Sequence, residues 1–273
     1  VKLQFHLPLI TYPDATSFTL LQNAVEVASN QDAHLNISVH QLKVPLLSPS
    51  FPTILDLEHL KSEAERSSRD AGTVLLSAIQ DYSKKAGVGI SVDSFECAEP
   101  FIGGYVAELS RSYDLTILEP PEIATQTVET VLFESGRPLL LFPADSCPEQ
   151  FKTIAIAWDG SSTLARALTA ARIFLSGSTK ILLISLTDDK AIETHNRDQF
   201  ATVLSSAGLH VDIISAQCAG VSPAITLQAV AKENGANLLV AGAYGHSRFR
   251  EFILGGVTRS LLGNLDMPVL LSH

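Results

Sequence analysis

The sequence predicts an α/β chain of two consecutive units, each a mostly parallel sheet with helices on both faces. Three observations carry this. Short apolar segments alternate with longer segments of helical periodicity, the pattern of right-handed βαβ crossovers. That order of elements runs through the chain twice. And 273 residues, 46% of them hydrophobic and 18% charged, suit two globular cores better than one.

In chain order, Leu3 to Ile10 reads as a strand, and Pro13-Asp14-Ala15-Thr16-Ser17 supplies turn and N-cap chemistry for a helix from Ser17 to Ser29. His34 to Val39 is a second strand, and the proline-containing segment Val44 to Pro52 a crossover loop. Leu57 to Lys85 is a long helix, stopped by Gly87 and Gly89. Ile90 to Phe95 alternates as a strand, Phe101 to Arg111 is helical, and Leu115 to Leu118 is a buried strand ended by Pro120-Pro121. Thr127 to Glu134 makes a short helix and Pro138 to Phe142 a fifth strand. Pro143 to Gln150 (PADSCPEQ) is the linker, giving units at residues 1–145 and 151–273. The second unit repeats the order: strands at Thr153 to Trp158, Lys180 to Leu186, Val211 to Ser215, Asn237 to Ala241 and Met267 to Leu271. Between them lie helices at Leu164 to Leu175, Arg197 to Ala207, Ser222 to Glu233 and Gly256 to Leu262.

Charge separates the two units. Residues 1 to 150 hold 9 Lys and Arg against 20 Asp and Glu, whereas residues 151 to 273 hold 10 against 9. An acidic first unit repels nucleic acid, and no basic stripe offers a polyanion site. The near-neutral second unit suits a small phosphorylated ligand. Three cysteines, Cys97, Cys147 and Cys218, show no CxxC spacing, which argues against a disulfide framework or a zinc module and for a reducing, cytoplasmic setting. No apolar run approaches the length needed to span a bilayer, and no signal-like segment leads the chain. Its start at Val1 fits a few natural residues preceding it.

The units differ most after their fourth strands. Leu238 to Ala241 breaks at Gly242; Gly245 follows three positions on, and Gly255-Gly256 opens the next helical segment. A glycine-rich turn between a buried strand and a helix start presents bare backbone N–H groups to an anion, since glycine has no Cβ to hold a phosphate away. The corresponding stretch of the first unit is seven residues shorter and reads Glu119-Pro120-Pro121 where the second reads Gly242-Ala243-Tyr244. Asp159, just after the first strand of the second unit, parallels Asp14, 145 positions earlier. The unit is therefore duplicated, and its first copy lacks the phosphate loop.

Two such units, an Asp after the first strand of the second, and Gly-x2-Gly-x9-Gly after its fourth strand together resemble a tandem universal stress protein whose first domain is degenerate. The specific motif lies in Ala157 to Asp159 and Gly242 to Thr258. The resemblance implies two doubly wound, Rossmann-like domains with five-stranded parallel sheets of strand order 3-2-1-4-5, arranged as a pseudo-dimer through their fifth strands. It implies ATP as ligand, with or without Mg²⁺, or else AMP or ADP. Asp159 would accept from the ribose hydroxyls or lie near the adenine edge, beside the backbone of Ala157, with Leu186 packing on the base. Gly242 would let the backbone approach the ribose and α-phosphate, and Gly245 and His246 would begin the phosphate turn. Gly255, Gly256, Val257 and the Thr258 hydroxyl would hold the outer phosphates. The family places Ser or Thr where this chain has Gly256, so one phosphate-binding hydroxyl is missing.

Each assignment has a plainer rival: the glycines also suit a tight turn and close helix packing, and Asp159 also suits an N-cap. Trp158, beside it, reads as core. Asp188-Asp189 reads as a solvated turn. No GxxxxGK[ST], GxGxxG after a first strand, HExxH or GxSxG occurs, so motor NTPase, dehydrogenase, metalloprotease and hydrolase readings have no anchor. The expected function is adenine-nucleotide binding in a regulatory, non-catalytic stress response, with no catalytic residue and no protein metal site; a homodimer is a further expectation. The alternatives are a slow ATPase or nucleotidyl transferase on the same loop, or a scaffold that no longer binds nucleotide.

Overall fold

Phe5, His6, Leu7, Leu9, Leu35, Ile37, Leu115, Thr116 and Ile117 are at most 1% exposed, and the consecutive residues among them face opposite sides, the signature of strands buried on both faces. They belong to β1 (Gln4–Leu9), β2 (His34–Leu42) and β4 (Leu115–Leu118), which with β3 (Ile90–Cys97) form a parallel sheet in the order β3-β2-β1-β4. The computed structural model describes residues 1–45, 56–120, 125–144, 150–188, 193–243 and 261–273. They divide into two units, Val1–Ser135 and Gly136–His273. Helices α1 (Phe18–Asn30), α2 (Leu57–Ala86), α3 (Ile102–Ser110) and α4 (Thr125–Glu134) complete the first.

Cap chemistry sets these helices. Ser17 caps α1 by accepting from the Leu20 N–H at 3.0 Å, and Asp56 caps α2 by accepting from His59 N–H at 3.0 Å. Gly87 ends α2 at φ +70°, a left-handed conformation that favours glycine. The buried stripe of α2 is Ser68, Gly72, Leu75, Ile79 and Ser83, and no residue before Ser68 is fully buried.

A polar inset lies inside the first unit. His6 is fully buried, with Nδ1 2.9 Å from Ser110 Oγ and Nε2 2.9 Å from Ser38 Oγ. Ser110 donates its own proton to the Val106 carbonyl at 2.7 Å, so it accepts from His6 Nδ1–H, and Nε2 accepts from Ser38. Tyr113 stacks on the ring at 4.7 Å. Both nitrogens are thus satisfied in the neutral form, and burial lowers the pKa from 6.5 to about 3.

The second unit holds β5 (Leu139–Leu141), β6 (Thr153–Ala157), β7 (Lys180–Leu186), β8 (Val211–Ala216), β9 (Leu238–Gly242) and β10 (Val269–Ser272). Helices α5 (Ser162–Leu175), α6 (Thr194–Ser206) and α7 (Pro223–Glu233) connect them, and residues 261–263 are helical. The sheet runs β5-β10-β9-β6-β7-β8. Its own five strands therefore take the expected order 3-2-1-4-5, all parallel. β5 pairs antiparallel with β10, Leu141 opposite Val269 and Leu139 opposite Leu271, which is the fifth-strand pairing the sequence suggested. No helix among the described residues is long and apolar enough to cross a membrane.

Candidate nucleotide site at the end of β6 and β9

In the order β8-β7-β6-β9-β10, chain direction across the sheet reverses between β6 and β9. A crevice opens outside the carboxyl ends of parallel strands at such a switch point. The residues there are Ala157, which ends β6, then Trp158, Asp159, Gly160 and Ser161, and Gly242, which ends β9.

The β6–α5 turn is fixed by its own polar groups. Asp159 Oδ1 accepts the Ser161 N–H at 2.9 Å, and Gly160 between them takes φ +70°. Ser161, not Asp159, is the N-cap: its Oγ accepts the Leu164 N–H at 3.1 Å. Trp158 is half-buried; its backbone N–H donates to Ile184 at 2.7 Å and its ring stacks on Phe200 of α6 at 5.0 Å, so it packs between strand and helix.

Gly242 has a steric reason. A Cβ there would lie 2.6 Å from Thr163 Oγ1, 2.8 Å from Thr163 C and closer still to Leu164 N. The first turn of α5 therefore rests directly on the end of β9, and the positive end of the helix overhangs the switch point. One contiguous path, Asp159–Ser161–Thr163–Gly242, joins two of the sequence-predicted residues through two that sequence reasoning read only as a turn and a helix start. Their signal was the Asp-Gly-Ser-Ser-Thr spacing after a strand, which places two hydroxyls two residues apart on a first turn. Leu186 lies at the end of β7, one strand from β6, and is 7% exposed. Gly245, His246, Gly255, Gly256, Val257 and Thr258 lie outside the described residues.

Asp188 follows β7 and does more than border a turn. Its two oxygens accept the N–H groups of Cys218 at 2.7 Å and Ala219 at 3.0 Å, tying the end of β7 to the end of β8. Those bonds hold its carboxyl below the ordinary aspartate range. Cys218 is a buried thiol and Cys97 a half-buried one, its pKa raised by desolvation.

The equivalent place in the first unit is filled from within. Asp14 stands exposed in the longer β1–α1 loop and leaves the helix start to another residue. Glu119, which follows β4, sends its carboxylate to the N-cap of α1: Oε1 accepts Ser17 N–H and Oε2 accepts Ser17 O–H, both at 2.6 Å. Further along, Thr11 bonds Ser68 of α2 at 2.7 Å and the His40 carbonyl at 2.9 Å, closing the ends of β1 and β2 with a buried polar cluster. Glu119→Ala is expected to destabilise the first unit by about 2 kcal/mol, since two charge-assisted bonds in a part-buried place are lost. Urea unfolding would show it, and Glu119→Gln, which keeps an acceptor for Ser17, should lose less.

Comparison with known proteins bears on the unit that holds the crevice. The model of the universal stress protein family matches residues 150–273. The second unit is a universal stress protein domain. Universal stress protein Slr1230 of Synechocystis sp. is 24% identical over 237 residues, covering 80% of this chain and 76% of its own. Among solved structures, a universal stress protein from Archaeoglobus fulgidus superposes with a TM-score of 0.75 at 19% identity, covering 98% of this chain and 95% of that one. A functionally unknown protein from Pseudomonas aeruginosa, PA1789, gives a TM-score of 0.60 at 16% identity over 98% of this chain and 92% of that one. The structural likeness establishes the universal stress protein fold across both units.

Proposed function

We propose that the second unit binds an adenine nucleotide, ATP in the first place, and that binding serves regulation rather than catalysis. The observation that carries this is the switch point between β6 and β9, where Asp159 and Ser161 turn the chain into α5 and the first turn of α5 rests on the bare Cα of Gly242. The glycine spacing that continues from Gly242 to Gly255 in sequence adds backbone donors of the kind phosphates take. The donor set fits the group: a carboxylate for hydroxyls of a sugar, and hydroxyl and N–H groups for anionic oxygen. Asp159, Ser161 and Gly242 would hold the nucleotide on the described side, with Ala157 and Leu186 near the base. Gly245, His246, Gly255, Gly256, Val257 and Thr258 would hold the phosphates. Bound nucleotide would shift the population of loop conformations and so alter the surface a partner meets.

The first experiment is mass spectrometry of nucleotide carried through purification, followed by calorimetric titration with ATP. The expected result is one site in the chain, stabilisation of about 2.7 kcal/mol at 100 times Kd, and affinity at least about tenfold weaker in Asp159→Ala, which loses a charge-assisted acceptor. A chain that neither carries nucleotide nor shifts its melting with ATP is a scaffold instead. ADP produced at many times the protein-free rate, and lost in Asp159→Ala, would turn the reading to an enzyme.

A further inference from the structure

The outer strand of the first unit combines unpaired backbone and a cleft on the same residues. β3 ends the sheet and pairs with β2 alone. The ladder between them is bracketed by bonds from the Leu35 N–H to the Gly89 carbonyl at 3.0 Å and from the Lys43 N–H to the Cys97 carbonyl at 3.1 Å. Bonding alternates along a parallel pair, so Gly89, Ser91, Asp93, Phe95 and Cys97 face β2. The N–H and C=O groups of Ile90, Val92, Ser94 and Glu96 point outward and have no backbone partner among the described residues.

Helix α2 leaves this edge uncovered. It crosses β2, where a Cβ on Gly72 would meet Val39 Cγ1 at 3.1 Å, and Val92 on the next strand stays 38% exposed. Between α2 and β3 lies a cleft of about 350 Å³, with apolar Val39, Leu76 and Val92 and polar Gln41, Arg69 and Ser94 in its lining. Asp93 also borders it, but its side chain goes to the other face: it stands opposite Ser38, whose hydroxyl bonds the buried His6 there. Arg69 therefore sets the charge of the cleft, and it is in no ion pair among the described residues.

We propose that the β3 edge takes an added strand, an extended peptide that bonds to the backbone of Val92 and Ser94 and turns a carboxylate side chain into the cleft toward Arg69. An edge strand beside a helix supplies both parts of this mode: main-chain bonds for affinity and a cleft for alternate side chains. The side chains on either side of that carboxylate fall on the opposite face, beside Asp93, where ammonium groups match. The 20 Asp and Glu against 9 Lys and Arg over residues 1–150 favour a peptide that is basic overall. A second copy of this chain is the poorer occupant, because pairing β3 with itself brings Asp93 and Glu96 of both copies to one seam.

The test is amide hydrogen exchange of the full-length chain, resolved by NMR, with the synthetic peptide acetyl-Thr-Val-Lys-Glu-Lys-Val-Thr-amide. In an extended strand its Glu and Val side chains share one face and its Lys side chains the other. At saturation the amides of Val92 and Ser94 are expected to exchange about tenfold more slowly or better, while those of Asp93 and Phe95, already bonded to β2, stay within about twofold. Arg69→Gln should weaken the peptide about fivefold, a modest factor because the guanidinium is exposed to solvent. The same peptide with Gln in place of Glu should be weaker by that factor already and lose nothing more on Arg69→Gln. Ser94→Pro removes one outward N–H at a place where an edge strand accepts proline, and should abolish binding. Thermal melts show that each variant is folded, and Arg69→Gln on the helix surface decides the matter if Ser94→Pro does not fold. No added protection at Val92 and Ser94, or equal affinity in Arg69→Gln, overturns the proposal. Protection that grows with chain concentration in the absence of peptide gives the edge to a second copy and overturns it equally.

Discussion

Gly242→Ala is expected to lower the stability of the second unit by about 3 kcal/mol, near the upper end for overpacking. The atoms a methyl group would meet are the Thr163 carbonyl carbon, its Oγ1 and the Leu164 nitrogen, and two of these are backbone. Backbone in the first turn of α5 cannot rotate aside. The helix must lift from β9 as a body, and Thr163, Leu164 and Ala167, each at most 5% exposed, would lose contact with the sheet. Urea unfolding followed by far-ultraviolet circular dichroism measures the loss. Gly104→Ala in α3 is the control, because a Cβ there meets nothing within 4 Å and alanine is the better helix former. A loss below about 1 kcal/mol at Gly242 would mean that α5 retreats freely, and the overhanging helix terminus would then be a poor platform for a ligand.

Acid should unfold the first unit through His6. The folded pKa of about 3 lies below the ordinary 6.5, so between those values the unfolded chain binds a proton that the folded chain refuses. Stability is complete above pH 6.5, falls as pH drops toward 3, and levels off below. The full difference of about three and a half pH units corresponds to about 4 to 5 kcal/mol, of which more than half is lost by pH 4.5. His40, lowered by burial against the opposing pull of its bond to the Cys97 carbonyl, adds in the same direction. Carboxylates also titrate here, so the informative quantity is the difference in slope between the parent chain and His6→Gln. His6→Gln should flatten the curve by nearly one proton between pH 6 and 4, as measured by urea midpoints. Equal slopes would show that the inset takes up a proton without opening.

Much of this fold was legible in the sequence because its central strands are apolar without interruption and its helices begin at side chains that cap. Lys180 to Leu186 and Leu115 to Leu118 match their strands end to end. The reading blurred where tertiary contacts override pattern. β2 and β3 each run two or three residues past their apolar cores because they pair with each other as far as Leu42 and Cys97. His6 sits in an apolar strand with nothing local to show that Ser38 and Ser110 would converge on it from 32 and 104 residues away. At the candidate site, Asp159 and Gly242 stood out by residue type and place, whereas Ser161 and Thr163 looked like ordinary cap chemistry. Their further role depends on where β9 ends, which no local spacing encodes. Glu119 was visible as the residue that replaces a glycine, but its grip on Ser17 crosses 102 positions of sequence.

The pairing of β5 with β10 has a consequence for the history and handling of the chain. By sequence, Leu139–Leu141 is the last strand of the first repeat; by packing, it is the outer strand of the second unit. The repeats are thus sewn together by a borrowed strand, upstream of the proline-rich stretch that looks like the natural place to cut. A fragment beginning at residue 151 would lack Leu139–Leu141 and leave the backbone N–H and C=O groups along Val269 to Leu271 without their β5 partners. Such an edge recruits any matching strand. The last strand of the second repeat therefore depends on Leu139–Leu141, from the first repeat by sequence, to cover its edge.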